Sequence, residues 1–337
     1  MEKCRHFCSD TKKDKLENKE YKLVSYKELP GYMKDNEFIH KYYRVEWPFK
    51  QAFFSLFQWH NETINVWSHL LGFLLFVGLT IANAAHVSQT ADLFGIFRTS
   101  STGSYKNTSH GSINLLMGMP KMMDLNSLPN QGDIEPAARW PFFVYLCGSM
   151  YCLLSSSICH LFGCHSHDTN LLLLQMDYTG ITVMIITSFF PAIYYIFLCQ
   201  PIWQIVYLSG ISIFGAFTIA TMLSPTLSSG KCRSFRAILF VSMGLFGIIP
   251  ATHACILNWD NPRRNLTLAY ESVMAFSYLI GTGFYVTRVP ERWWPGWFDL
   301  AGHSHQIFHV FVLLGALAHY GAALLFMEYR DMVGCGQ

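Results

Sequence analysis

The chain has 337 residues, 51% of them hydrophobic and only 14% charged, against about 25% charged in ordinary soluble domains. Residues 1–50 hold 12 Lys/Arg and 9 Asp/Glu, so the other 287 residues carry 25 of the 46 charges, too few to solvate a globular surface. The formal net charge of +2, with the basic residues in a mixed-sign tail, sets nucleic-acid binding aside.

Residues 1–50 read as a polar cytosolic tail. They lack the short basic stretch and apolar run of a cleavable signal peptide. Cys4, His6 and Cys8 have a ligand-like spacing, but three residues in a tail make no closed zinc site. Between Arg44 and Asn65, Phe49, Phe53, Phe54 and Phe57 fall on one helical face. Residues 51–67 therefore read as a short pre-helix at the membrane interface, or equally as an aromatic belt at the mouth of the first helix.

Charge-poor runs mark the membrane spans, because a helix crossing hydrocarbon needs about 20 predominantly apolar residues. They fall at about 68–85, 140–162, 173–198, 203–223, 237–257, 269–286 and 305–327. The membrane domain is then 68–327, followed by a short tail, 328–337. Cys199-Gln200-Pro201 breaks one long uncharged run into a hairpin of two helices. The runs lack the polar alternation of barrel strands, so the expected fold is all-α, a seven-transmembrane helix bundle. Pro191 and Pro250 sit mid-span and read as kinks. Cys147, Cys152, Cys159, Cys199 and Cys255 lie in apolar stretches, where thiols pack as small hydrophobes, and no disulfide framework is expected.

A cytosolic N-terminus puts 17 of the 24 Lys/Arg on the inner side, as the positive-inside rule favours. Without the tail the count is 5 against 7, so that orientation rests on the tail. The 86–139 connection would then face outward with its sequon Asn107-Thr108-Ser109, where glycosylation would test the topology.

Ionisable residues inside spans are expensive and are functional candidates by default. His160 lies near the end of the second span, Asp177 near the start of the third, and His305 and His309 in the first turns of the seventh. Parity puts all four at one depth, on the cytosolic side if the N-terminus is inside. His305 and His309 are four apart, which stacks two imidazoles on one helical face at the bite of a metal. His160 can supply a third ligand across the bundle, leaving the open position of a catalytic zinc. Asp177 would orient water or take its proton, and Ser156, one turn before His160, reaches the same cavity. Imidazole ligands without visible redox machinery favour zinc, although affinity alone leaves copper and nickel open. A His/Asp proton relay is the chief rival. His253 and His319 read as hydrogen-bonding neighbouring helices. His69, His86, His165, His167 and His303 sit at span ends and read as interfacial or supporting.

The run His60-Asn61-Glu62-Thr63-Ile64-Asn65-Val66-Trp67-Ser68-His69-Leu70-Leu71-Gly72 resembles the lead-in motif of the progestin and adipoQ receptor family, which includes the adiponectin receptors. Ser156-Ser157-Ile158-Cys159-His160, Asp177-Tyr178-Thr179-Gly180 and Ser304-His305-Gln306-Ile307-Phe308-His309 agree with it. Leu29-Pro30-Gly31-Tyr32-Met33-Lys34-Asp35-Asn36 and Val289-Pro290-Glu291-Arg292 bring the chain nearest to plant heptahelical transmembrane proteins. The resemblance, from about Tyr26 to Arg330, implies seven helices with a cytosolic N-terminus, opposite to G-protein-coupled receptors. It also implies Zn2+ near the cytosolic face on His160, His305 and His309, with Asp177 holding the water at zinc and Ser156 as a second polar partner.

The function it implies is that of a receptor-like membrane protein in hormone or stress signalling, with ceramidase-like hydrolysis of a lipid amide. The alternative is a non-catalytic lipid or hormone receptor with structural zinc. Expected partners are the lipid bilayer, a lipid or small hormone-like ligand, and cytosolic signalling proteins on the N-terminal tail. The long low-charge 86–139 loop departs from the family in its outward face, so adiponectin itself is not carried over. A transporter is disfavoured because the ionisable set stays at one end and no inverted repeat is apparent. A G-protein-coupled receptor is disfavoured because the third span lacks an acidic-Arg pair and the seventh lacks an Asn-Pro turn.

Overall fold

A computed structural model of the chain describes residues 21–99, 136–228 and 232–335, except for the side chains of 86–99 and 228. The Cys4/His6/Cys8 trio, the sequon at Asn107 and most of the 86–139 connection lie outside the described residues. Nine α-helices are described: α1 Phe49–Phe54, α2 Thr63–Thr99, α3 Trp140–Phe162, α4 His167–Ile196, α5 Pro201–Met222, α6 Arg233–Phe246, α7 Ile248–Leu257, α8 Arg264–Thr287 and α9 Ser304–Val333. The β structure among the described residues is a single bridge between Val24 and Tyr43.

Six stretches are long and apolar enough to cross a membrane: Thr63–Ala85, Trp140–Phe162, His167–Ile196, Pro201–Met222, Arg233–Leu257 and Ser304–Val333. The 24-residue α8 is also long enough at about 1.5 Å per residue. Glu271 and several Ser, Thr, Tyr and Gly residues dilute its hydropathy. It packs along α9, which in turn meets α2, α3 and α4. The fold is thus a seven-helix bundle, with α6 and α7 sharing one crossing.

Local chemistry sets the helix ends. Ser166 Oγ accepts from the Thr169 N–H at the start of α4, satisfying one of the orphan donors of a helix N-terminus. Pro201 opens α5, where a missing N–H breaks no intrahelical bond. Pro250 cannot donate to the carbonyl four residues back and its ring crowds that group; the fifth crossing accordingly divides between Phe246 and Ile248. Pro191, by contrast, sits inside an unbroken α4.

The interior of the bundle is α3, whose apolar window is 61% buried against 17% for α6–α7. Two glycines let α3 and α4 approach closely, as small residues do where helices pack in lipid. A Cβ on Gly148 would lie 2.0 Å from Thr187 Oγ1, and one on Gly180 would lie 2.5 Å from Ser155 Oγ. This crossing sets Asp177 of α4 opposite Ser156 of α3. Phe76, Tyr145, Leu153, Val312 and Ala316 form the adjoining core.

The described part of the N-terminal segment folds across the histidine-bearing end of the bundle. His40 N donates to Asp299 Oδ1 at 2.7 Å and Gly296 N donates to Phe38 O at 2.9 Å. Arg233 and Arg288 pair with Asp35, and Arg288 also with Glu37. Buried Arg44 donates to the His160 and Leu161 carbonyls at 2.7 and 3.0 Å, capping the end of α3. The rings of Phe49, Phe53, Phe54, Phe57 and Trp59 remain exposed around α1, the surface an interfacial pre-helix needs.

At the opposite end, Cys199 forms a disulfide with Cys335. This corrects the expectation that Cys199 packs as a small hydrophobe. It sits in the turn after α4, beside the end of α9, where a bonded partner is within reach. Arg330 reinforces the junction by donating to the Tyr195 and Ile196 carbonyls.

Candidate metal centre

The last turn of α3 and the first two turns of α9 meet beside the start of α2. A buried carboxylate fixes the start of α9. Glu291, in the α8–α9 connection, accepts from the Ser304 N–H at 2.8 Å and from Ser304 Oγ, and its charge complements the positive end of the helix. Gln306 closes the same turn, accepting from Gly302 N at 2.6 Å and donating to Leu300 O at 3.0 Å. His305 and His309 therefore leave a locked helix start on one face.

The ligand atoms of His160, His305 and His309 all lie within 4.8 Å of one another. His160 Nδ1 lies 2.7 Å from Glu62 Oε2, and a carboxylate only accepts, so Nδ1 carries the proton and the Nε2 lone pair faces the cluster. His309 Nδ1 lies 3.2 Å from the Asn65 carbonyl and 3.1 Å from Ser68 Oγ, which directs its Nε2 the same way. His305 Nε2 then faces His160 Nε2 at 3.1 Å. With its proton on Nε2, His305 donates to His160 across that gap; with the proton on Nδ1 instead, both Nε2 lone pairs face one point, as two ligands of a shared cation would. Imidazoles oriented from behind by a carboxylate and a carbonyl are the usual donor set of a bound transition metal, so these residues fit one.

Asp177 and Ser156 do not join the cluster itself. They line a pocket of about 40 Å³ together with His69, Tyr285, His305 and His309, large enough for a few waters or an ion. Both are buried, and Ser156 stands close enough to Asp177 to hydrogen-bond it. The structure thus brings together three of the five expected site residues as potential ligands and sets the other two in the adjoining pocket wall.

Two neighbours were not singled out from sequence. Glu62 orients His160 and accepts from Asn65 Nδ2 at 2.6 Å. Burial alone would raise its pKa, but the His160 imidazole and the hydrogen bonds from His160 and Asn65 hold it well below the usual carboxylate range. Its sequence signal was a carboxylate directly ahead of the first span. Asn65 contributes through its backbone carbonyl, which no residue-type pattern reveals. His69, read from sequence as an interfacial or supporting residue at a span end, lies inside α2 and lines the pocket. Behind Glu62, buried His60 accepts the Glu62 N–H on Nδ1 at 3.1 Å. Its pKa is pushed down to about 3 by burial and by Arg44, so His60 stays neutral and holds the turn.

The other intramembrane histidines make ordinary contacts. Tyr207 Oη lies 2.9 Å from His253 Nδ1, joining α5 to α7. His319 bonds Glu271 of α8 and the Ser188 carbonyl of α4. His303 and His165 meet the carbonyls of Asn61 and Trp47.

Fold and cluster together define a class: a multi-pass helical membrane protein with three histidines, near one end of the bundle, positioned to hold a metal ion. Residues 57–320 match the Haemolysin-III related family, HlyIII, and the chain belongs to that family. It is 56% identical to heptahelical transmembrane protein 1 of Arabidopsis thaliana over 94% of this chain and 85% of that protein. It is 54% identical to heptahelical transmembrane protein ADIPOR1 of Oryza sativa subsp. japonica, over 94% and 87%. An adiponectin receptor protein of Drosophila melanogaster is 33% identical over 93% of this chain and 61% of its own length. The protein is therefore an integral, multi-pass, adiponectin-receptor-like membrane protein.

Proposed function

We propose that this protein holds zinc on His160, His305 and His309 near the cytosolic face and hydrolyses a lipid amide, coupling that activity to hormone or stress signalling. The observation that carries this reading is the convergence of three oriented imidazoles beside a small pocket walled by Asp177 and Ser156. Zinc in such a ligand set supplies Lewis acidity, polarising a carbonyl and lowering the pKa of water. In this reading Asp177 accepts the proton released by the attacking water. Ser156 orients the Asp177 carboxylate, while Glu62 and the Asn65 carbonyl keep two ligand imidazoles in the tautomer that presents Nε2. The bundle around the pocket excludes bulk water, which strengthens every such electrostatic interaction. A larger, mostly apolar cavity of about 320 Å³ lies among α4, α7, α8 and α9, reaches towards the disulfide end and shares no lining residue with this pocket.

Two observations support a cytosolic N-terminus. Lys and Arg are concentrated on that side, 17 of 24, and the Cys199–Cys335 disulfide lies at the opposite end, where an oxidising compartment would preserve it. Glycosylation at Asn107 tests the orientation, since only an outward loop receives it. The N-terminal tail is then available to cytosolic signalling partners.

Asp177→Asn tests the chemistry. The expected result is a folded protein that keeps its metal and loses formation of fatty acid from a lipid amide. Signalling that persists in this variant would instead favour a receptor in which zinc is structural and the cavity only binds lipid or hormone.

A further inference from the structure

No hydrogen bond of ordinary geometry reaches either ring nitrogen of His69, whose polar approach among the described residues is to the backbone of His309. His69 is 3% exposed and lines the same small pocket as Asp177, Ser156, His305 and His309. Its ring lies flat on that of His309, with centroids 3.6 Å apart and planes 6° from parallel. The stack fixes the ring but satisfies neither nitrogen, because both point outward from the ring edge and not from its face. Buried polar atoms are almost always hydrogen-bonded, and those left over in a pocket mark where a ligand or water belongs. The contrast with His319 is direct, since both of its nitrogens are met by Glu271 and the Ser188 carbonyl.

We infer that His69 is a ligand-binding residue of this pocket, donating its ring N–H to the carbonyl or carboxylate oxygen of a single-chain lipid whose polar head reaches the histidine cluster. This deepens the hydrolytic reading above and rests on it for the identity of the head group. A neutral imidazole carries one donor and one acceptor. As ligands, His160, His305 and His309 would turn their lone pairs to the shared point, so His69 is the imidazole left to contribute an N–H to an oxygen. In the hydrolytic reading Asp177 serves as the carboxylate base, which accepts and does not donate. His69 thus gives the pocket a donor for the ligand oxygen, which Asp177 cannot be. It would also tighten on the oxygen as negative charge grows there, the behaviour expected of a group that stabilises an oxyanion.

The test uses the full-length, zinc-loaded protein in detergent micelles and compares wild type with His69→Phe, which keeps a flat ring for the His309 stack and removes both nitrogens. Three quantities are read: zinc per chain, apparent melting temperature and equilibrium binding of oleate. The expected result is unchanged zinc, a melting temperature equal to or above wild type, and oleate binding weakened by about tenfold or more, in line with loss of a hydrogen bond to a charged group. His69→Asn, which restores an amide donor, should recover part of the binding and serves as the second variant if the Phe ring does not fit. Equal oleate affinity in wild type and His69→Phe overturns the role of His69 and leaves the hydrolytic reading standing. Loss of zinc in both variants overturns it too, because His69 would then act on the metal site. Wild type that binds no oleate removes the reading and this inference together. Histidine-dependent binding without turnover of a lipid amide removes hydrolysis alone.

Discussion

Two groups of buried histidines occupy this bundle and behave oppositely. Midway along α9, His319 is enclosed by Glu271 and the Ser188 carbonyl, so both ring nitrogens face acceptors. Ten residues earlier on the same helix, roughly 15 Å away at 1.5 Å per residue, His309 is tied at Nδ1 alone, and His160 and His305 bring their Nε2 atoms to 3.1 Å. The first arrangement is complete within the protein and works as a tie between helices. The second turns three imidazole ligand atoms towards one point, as the ligands of a metal do. A buried histidine in a membrane bundle is therefore read by which of its nitrogens still lack a partner, and the contrast between these two groups can be broken or sharpened by experiment.

The largest effect is expected where both groups lose their frame. Gly148→Leu forces a side chain into Thr187 at the α3–α4 crossing and should abolish the folded protein, read as loss of the monodisperse peak in size-exclusion chromatography in detergent. Next comes the satisfied pair. Glu271→Leu leaves His319 without its carboxylate and should destabilise the protein by about 3–5 kcal/mol, whereas replacing both partners by Leu should restore most of that loss. Thermal unfolding of the single and double variants checks this, and equal losses in both would show that the pair is not acting as a unit.

A smaller effect is expected behind the cluster. Glu62→Gln weakens the hold on His160 Nδ1 without touching the three imidazoles, and should lower zinc affinity by roughly 10–100-fold with little change in melting temperature, measured by competition with a zinc chelator. The smallest effect is at His60, outside the spans. Its folded pKa of about 3 lies below the ordinary histidine value of about 6.5. The unfolded chain therefore takes up a proton first, and stability present above about pH 6.5 falls as the pH drops towards 3. The fall in melting temperature between pH 7.5 and pH 5 should be smaller in His60→Gln than in wild type.

Much of this architecture was legible because membrane spans announce themselves by missing charge. The same scarcity drew attention to His160, Asp177, His305 and His309, and parity of the spans gave them a common depth before any contact was known. What stayed hidden depended on contacts between distant segments. Hydropathy starts the first span at Ser68, which made His69 look like an end residue; the helix begins at Thr63, and His69 is already well inside it. Cys199 looked like a small hydrophobe because its partner is 136 residues away and only the packing of α4 beside α9 unites them. Glu62 belonged to a motif visible in the sequence, yet nothing in that motif told which imidazole it would orient. Pro250 read as a kink, and the structure divides the helix ahead of it, where the missing hydrogen bond falls.

The central claim is that the converging histidines His160, His305 and His309 belong to a metal. It is tested most directly by metal analysis of protein purified under conditions that retain bound ions, comparing wild type with His305→Ala. About one zinc per chain in wild type, lost in the variant while its size-exclusion profile is unchanged, is the predicted result. Wild type with much less than one zinc per chain, or a His305→Ala variant that keeps its zinc, would contradict it.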